Sequence, residues 1–72
     1  MRLGNYLSSL TKPELEELKE LLNLTEDEEE VFNNLSRGRS NIQTSNICMV
    51  SVSTVDKRIK TISAKLTRLK GW

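Results

Sequence analysis

Apolar residues recur along this chain at the spacing of amphipathic helices. Leu15, Leu18 and Leu22 stand three or four positions apart, with charged residues between them, so one side of a helix is apolar and the other sides are polar. The same spacing in the C-terminal third is typical of a helix that packs on a core, since it is too short for a long coiled coil. That stripe consists of Val52, Val55, Ile59, Ile62, Leu66 and Leu69.

Each predicted helix begins at a side chain that can accept hydrogen bonds from the free amides of the first turn. Three segments have the spacing of a capping box, and Ser51 can cap a fourth helix. Before Leu10 the leucine spacing allows an additional short N-terminal turn, although Gly4 weakens it. We therefore predict a small all-α domain of four helices with this additional turn. The capping boxes are Thr11–Glu14, Thr25–Glu28 and Ser40–Gln43.

Composition excludes several classes of function. The chain has no histidine and a single cysteine, Cys48, which removes internal disulfides and most zinc or thiol–imidazole chemistry. The acidic run Glu26 to Glu30 lacks the ligand spacing of a cation site. We therefore expect no enzymatic activity, no cofactor and no metal. No apolar run is long enough for a membrane span, and no signal peptide is evident, so we expect a cytoplasmic protein.

Charge divides the chain into two halves. Residues 1–36 hold three basic and nine acidic residues, a net charge of −6, whereas residues 37–72 hold eight basic residues and one acid, Asp56, a net charge of +7. This asymmetry indicates that a basic face meets a polyanion while the acidic part meets solvent or protein. The alternative is that the two halves attract each other within the fold.

A short helix, a tight turn and a longer helix with basic exposed residues form the helix-turn-helix pattern. Residues 24–66 resemble the DNA-binding domain of LuxR-type response regulators, and they are also similar to the promoter-reading C-terminal region of bacterial sigma factors. The resemblance needs no gap. The matching residues are Leu24, Thr25, Glu30, Val31, Gly38, Ser40, Val50, Ser51, Thr54, Val55, Arg58 or Ile59, Lys65 and Leu66.

The resemblance implies a helix-turn-helix DNA-binding domain over residues 24–72, preceded by an acidic helical extension over residues 1–23. It implies sequence-specific binding of double-stranded DNA by a small bacterial or phage transcriptional regulator, with the helix that starts at Val52 in the major groove. By position in the family, base contacts fall on Ser53, Thr54, Asp56, Lys57 and Lys60, and phosphate contacts on Ser40, Arg58 and Thr61. Charge and position add Arg37 and Arg39 as phosphate-binding residues.

The sequence departs from the family pattern at three places. Asp56 stands where the family commonly has a base-reading lysine, and a carboxylate there costs affinity unless it accepts from cytosine. Met49 replaces the turn glycine, so a left-handed backbone would cost about 1–2 kcal/mol, which favours a reshaped turn. In the third helix, Thr44 falls on an inward position while Ile42 and Ile47 fall on outward ones. This helix is therefore expected to be rotated, or its apolar side covered, with the acidic N-terminal helix as a candidate cover.

Two kinds of protein partner follow from these patterns. A homodimer through the N-terminal leucines would place two recognition helices on neighbouring half-sites. Alternatively, the chain keeps the helix-turn-helix scaffold but is a helical protein-interaction module without DNA binding, which uses its acidic face or the apolar stripe of the last helix. The leucines of the expected dimer are Leu3, Leu7, Leu15, Leu18 and Leu22.

Overall fold

The computed structural model describes residues 3–71, which form five helices and no strand. The all-α class is therefore confirmed. The four predicted helices are present, and the additional N-terminal turn is a helix of six residues. In chain order the helices are α1 Leu3–Ser8, α2 Lys12–Leu22, α3 Glu26–Ser36, α4 Asn41–Cys48 and α5 Val52–Lys70.

All four predicted helix starts are confirmed as caps. In the box that begins α3, the Glu28 amide donates to Thr25 Oγ1 at 3.3 Å and the Thr25 amide donates to Glu28 Oε1 at 2.9 Å. The boxes that begin α2 and α4 have the same reciprocal geometry. Ser51 Oγ accepts from the Thr54 amide at 3.2 Å at the start of α5. Because each cap closes within four residues, local sequence is sufficient to place these helix starts.

One apolar core joins all the helices except α4. Helix α3 lies at its centre, with α1, α4 and α5 packed against it, and α2 packs on α5. Phe32 and Val31 are fully buried and form the inward side of α3. The core consists of Leu3, Leu7, Leu18, Leu22, Val31, Phe32, Leu35, Val55, Ile62 and Leu66.

Four of the five leucines expected to form a homodimer surface are buried in this core, and the fifth, Leu15, is half-buried and packs against it. Leu7 is completely buried, and Leu3, Leu18 and Leu22 are at most 7% exposed. A dimer through these side chains would require α1 and α2 to leave the core, so that surface is not available in the folded chain. In the apolar stripe of α5, Val55, Ile62 and Leu66 are buried in the same core, while Val52 and Leu69 at its two ends are 38% and 41% exposed.

Helix α4 is neither rotated nor covered, contrary to both expectations. Thr44 and Ser45 are buried, while Ile42 and Ile47 are 64% and 50% exposed. The inward polar side is tolerated in part because the Ser45 hydroxyl donates to the Ile42 carbonyl at 2.7 Å within the helix itself. Since α2 packs on α5 rather than over this side of α4, both isoleucines lie at the surface.

The turn after α4 is left-handed rather than reshaped. Met49 has φ 59° and ψ 42°, and its side chain is 89% exposed. The amides of Met49 and Val50 both donate to the Ser45 carbonyl, which ends α4 and directs Val50 toward the core. The closing hydrogen bonds and the burial of Val50 therefore hold a conformation that costs a non-glycine residue about 1–2 kcal/mol.

Candidate nucleic-acid interface

Helices α4 and α5, joined by the short turn at residues 49–51, pack on each other as a unit whose second helix starts in a cluster of hydroxyl groups. Ser51 Oγ lies 3.0 Å from Ser53 Oγ and 2.9 Å from Thr54 Oγ1. Ser53 is exposed, whereas Thr54 is half-buried. Both predicted base-contacting hydroxyls therefore belong to the cap network, and Ser53 is the more accessible of the two.

One face of α5 is turned directly away from the core. Val55, Ile62 and Leu66 face inward, and the helical period places Ser53, Lys57 and Lys60 on the opposite side, where all three are exposed. We call Ser53, Lys57 and Lys60 the outward face of α5. The structure thus brings three of the predicted base-contacting residues onto one accessible face. Thr61 is exposed beside this face, and its Oγ1 donates to the Lys57 carbonyl at 3.1 Å.

Asp56 is turned toward α4. Its Oδ1 accepts a hydrogen bond from Asn41 Nδ2 at 2.9 Å, and both residues are exposed. Asn41 is the first residue of α4, so this bond joins the starts of the two helices of the unit. Asn41 did not figure among the predicted site residues, because no local pattern indicates a partner 15 residues away.

Arg58 points to the acidic start of α3. Its Nη2 lies 3.6 Å from Asp27 Oδ2, and its side chain is only 26% exposed. Further along the same side of α5, Lys65 is paired with Glu28 at 2.6 Å. A phosphate contact by Arg58 would therefore compete with Asp27, although the pair is weak because Asp27 is 71% exposed and screened by water.

The predicted phosphate-binding residues between α3 and α4 differ in their exposure and in the hydrogen bonds that their side chains already form. Arg37 is exposed at the end of α3. Arg39 is half-buried and donates from Nη1 to Asn34 Oδ1 at 2.8 Å, so its guanidinium also holds the connection between the helices. Ser40 is exposed at the N-terminus of α4, where the positive end of the helix dipole favours an anion. Like Asn41, Asn34 is a polar residue that the sequence pattern did not indicate as part of the site.

Cys48, the last residue of α4, is an ordinary packing residue. It is half-buried, and Asn34 Nδ2 is 3.8 Å from its Sγ. Burial raises the pKa of the Cys48 thiol, and the nearby Glu30 carboxylate raises it further. Because the thiolate is the reactive form, this environment disfavours nucleophilic or redox chemistry at Cys48.

No protein-family model, curated protein or solved structure matches this chain. Within residues 3–71, no helix combines the length and apolar character that crossing a membrane requires. The arrangement of α3, α4 and α5 and the side chains on α5 are therefore the basis for assigning a function.

Proposed function

We propose that this chain is a small transcriptional regulator that binds double-stranded DNA by placing the first turns of α5 in the major groove. The observation that carries the proposal is the outward face of α5. Lys57 and Lys60 lie together on it, and neither forms an ion pair with the residues that the structure describes. Two accessible cations one helical turn apart suit a polyanion.

The geometry of α5 fits a groove. The major groove of B-DNA is about 12 Å wide and admits one α-helix. Lys60 lies about 12 Å from the start of α5 at about 1.5 Å per residue, so both lysines belong to the first half of the helix. Ser53, Lys57 and Lys60 would approach bases or nearby phosphates, while Ser40 and Arg37 at the preceding connection would contact the backbone.

The acidic half of the chain neutralises part of the basic surface of α5. Asp27 and Glu28 engage Arg58 and Lys65 on the side of α5 that faces α3. Among the described residues, the cations of α5 without an ion pair are Lys57 and Lys60 on the outward face and Arg68 and Lys70 at the C-terminal end. Only Lys57 and Lys60 lie in the first half of the helix, beside the turn from α4, so we assign the DNA contact to that half.

The test measures the affinity for a mixed-sequence duplex at low and moderate salt. Lys57→Gln with Lys60→Gln removes two charges from the outward face. The matched control, Lys12→Gln with Lys70→Gln, removes two exposed charges elsewhere, since Lys70 is about 15 Å along α5 from Lys60. We expect the first pair to weaken binding about tenfold or more and to reduce the salt slope by about 1 to 2.

Each outcome of this experiment either supports or contradicts DNA binding through α5. Amide NMR shifts centred on residues 53–61 that weaken with salt would support docking through α5. Equal losses from both double variants would indicate binding by overall charge and contradict the assigned face. No amide shifts at low salt would remove the DNA-binding proposal.

A second candidate function is a protein-binding module, which the surface of α4 favours. Ile42, Ile47 and Met49 are all at least half exposed on a helix and turn without any charged residue. Large apolar side chains exposed this close together in the chain favour a protein contact. The absence of shifts in the DNA titration, with a folded spectrum, would favour this second function.

A further inference from the structure

Asp56 places an acidic side chain within an otherwise basic half of the chain. It is the one acid among residues 37–72, it is exposed, and it lies about 6 Å along α5 from the helix start. Next to it in sequence is Lys57, and Lys60 is one turn further on. The carboxylate therefore borders the same end of α5 that we propose enters the groove.

The hydrogen bond from Asn41 orients this carboxylate. Nδ2 of Asn41 donates to Oδ1 at 2.9 Å, and among the described residues Oδ2 has no hydrogen-bond donor. An ionised carboxylate has about four acceptor positions, so three of them remain open after this bond. Because the bond comes from another helix, it restricts the rotation of the side chain and pre-organises the free oxygen.

A carboxylate at a DNA surface has opposite effects on affinity and on specificity. It repels phosphates, which weakens binding to every sequence. It also offers acceptors alone, so it gains only where a base edge presents a donor. In the major groove the N4 amino group of cytosine is the donor that aspartate pairs with.

We infer that Asp56, held in place by Asn41, is a specificity-determining residue that accepts a hydrogen bond from the N4 amino group of a cytosine in the major groove. The inference rests on the proposed function. Asn41 is a positioning residue, since it acts by orienting Asp56. Asp56 repels phosphates at every sequence, and only at the preferred site does the hydrogen bond from cytosine offset that repulsion, so the hydrogen bond sets the choice of site.

The experiment compares base preference rather than affinity alone. Duplexes with a randomised central segment are selected with the wild-type protein and with Asp56→Asn, Asp56→Ala and Asn41→Ala. Affinities are then measured for duplexes that differ only at the selected position. Glu20→Gln is the control, because it removes one exposed carboxylate from α2, whose C-terminal end lies against the C-terminal half of α5.

We expect the wild type to prefer cytosine at one position by about tenfold or more. In Asp56→Asn, the remaining oxygen still accepts from Asn41, and an amide NH₂ replaces the free oxygen. Because this NH₂ is a donor, the base preference moves to a base with an acceptor, such as guanine. Asp56→Ala binds all four bases at that position with similar affinity. Asn41→Ala weakens the cytosine preference without reversing it, and Glu20→Gln leaves it unchanged.

Other outcomes overturn the inference. If the wild type binds DNA but Asp56→Asn and Asp56→Ala change the affinity for every duplex by the same factor, Asp56 acts through charge alone, and the proposed function stands without this inference. If the wild type selects adenine or no base at that position, the assignment to cytosine is wrong. If the wild type binds no duplex at low salt, both the inference and the proposed function fail.

Discussion

Lys65 donates a hydrogen bond of 2.6 Å to Oε1 of Glu28, the same oxygen that accepts from the backbone amide of Thr25 at 2.9 Å. One carboxylate oxygen thus closes the capping box of α3 and joins α3 to the C-terminal half of α5. Burial raises the pKa of Glu28, but the hydrogen bonds from Lys65 and Thr25 and the charge of Lys65 outweigh it, so the net pKa is lowered. The acidic and basic halves of the chain are therefore joined at this pair.

Glu28→Gln is expected to reduce the free energy of unfolding by about 1–2 kcal/mol, because the amide keeps the cap acceptor but loses the charged bond to Lys65. Since the folded pKa of Glu28 lies below its ordinary value of 4.5, its contribution is complete above that pH and is lost as pH falls through the folded pKa. Urea unfolding of wild type and variant at neutral and acidic pH should therefore show a difference that shrinks in acid.

The matched control is Glu14→Gln in the capping box of α2. Glu14 is exposed and its carboxylate bonds to Thr11, which lowers the pKa of Glu14, but no lysine donates to it among the described residues. We expect a smaller loss of stability than at Glu28. Losses of the same size from the two substitutions would contradict a special role for the bond to Lys65.

Met49→Gly is expected to stabilise the fold by about 0.5–1 kcal/mol. Glycine removes the left-handed strain at φ 59°, and this gain exceeds the greater chain entropy that glycine has when unfolded. The exposed Met49 side chain has little packing to lose. Met49→Ala, which keeps the strain, should give no gain in thermal midpoint, and a gain equal to that of Met49→Gly would contradict the explanation.

Thr44→Val is expected to raise the free energy of unfolding by about 1 kcal/mol. The Thr44 side chain is fully buried, and its Oγ1 finds no hydrogen-bond partner among the described residues. Valine has nearly the same shape and removes the cost of burying an unpaired hydroxyl. Thr44→Ala serves as the comparison, because it also removes the hydroxyl but leaves a cavity. Destabilisation by valine would show that the hydroxyl has a partner.

Leu7→Ala is expected to destabilise the fold by about 2–5 kcal/mol, because Leu7 is completely buried against the core that α3 and α5 share. Leu21→Ala removes a leucine that is 56% exposed and should change stability by less than about 0.5 kcal/mol. Urea unfolding at several protein concentrations checks both. If the effect of Leu7→Ala depends on concentration, Leu7 contacts a second copy and the core assignment is incomplete.

The helices and their starts follow from the sequence by itself. Thr11, Thr25, Ser40 and Ser51 cap helices through hydrogen bonds that close within four residues, so the information needed is contained in short segments. The apolar spacing of α5 likewise determines its inward side, which in turn places Lys57 and Lys60 outward. The all-α class and the outward face were predictable for this reason.

Only the tertiary structure decided which surfaces remain accessible and which polar groups meet. The leucine pattern of α1 and α2 suits a dimer surface and a core equally. In the fold, α1 packs on α3 and α2 packs on α5, so these leucines belong to the core. Asn41 and Asp56 are 15 residues apart, and Glu28 and Lys65 are 37 apart. Such contacts depend on the relative placement of whole helices, which is set by the fit of their apolar sides rather than by any short segment of the chain.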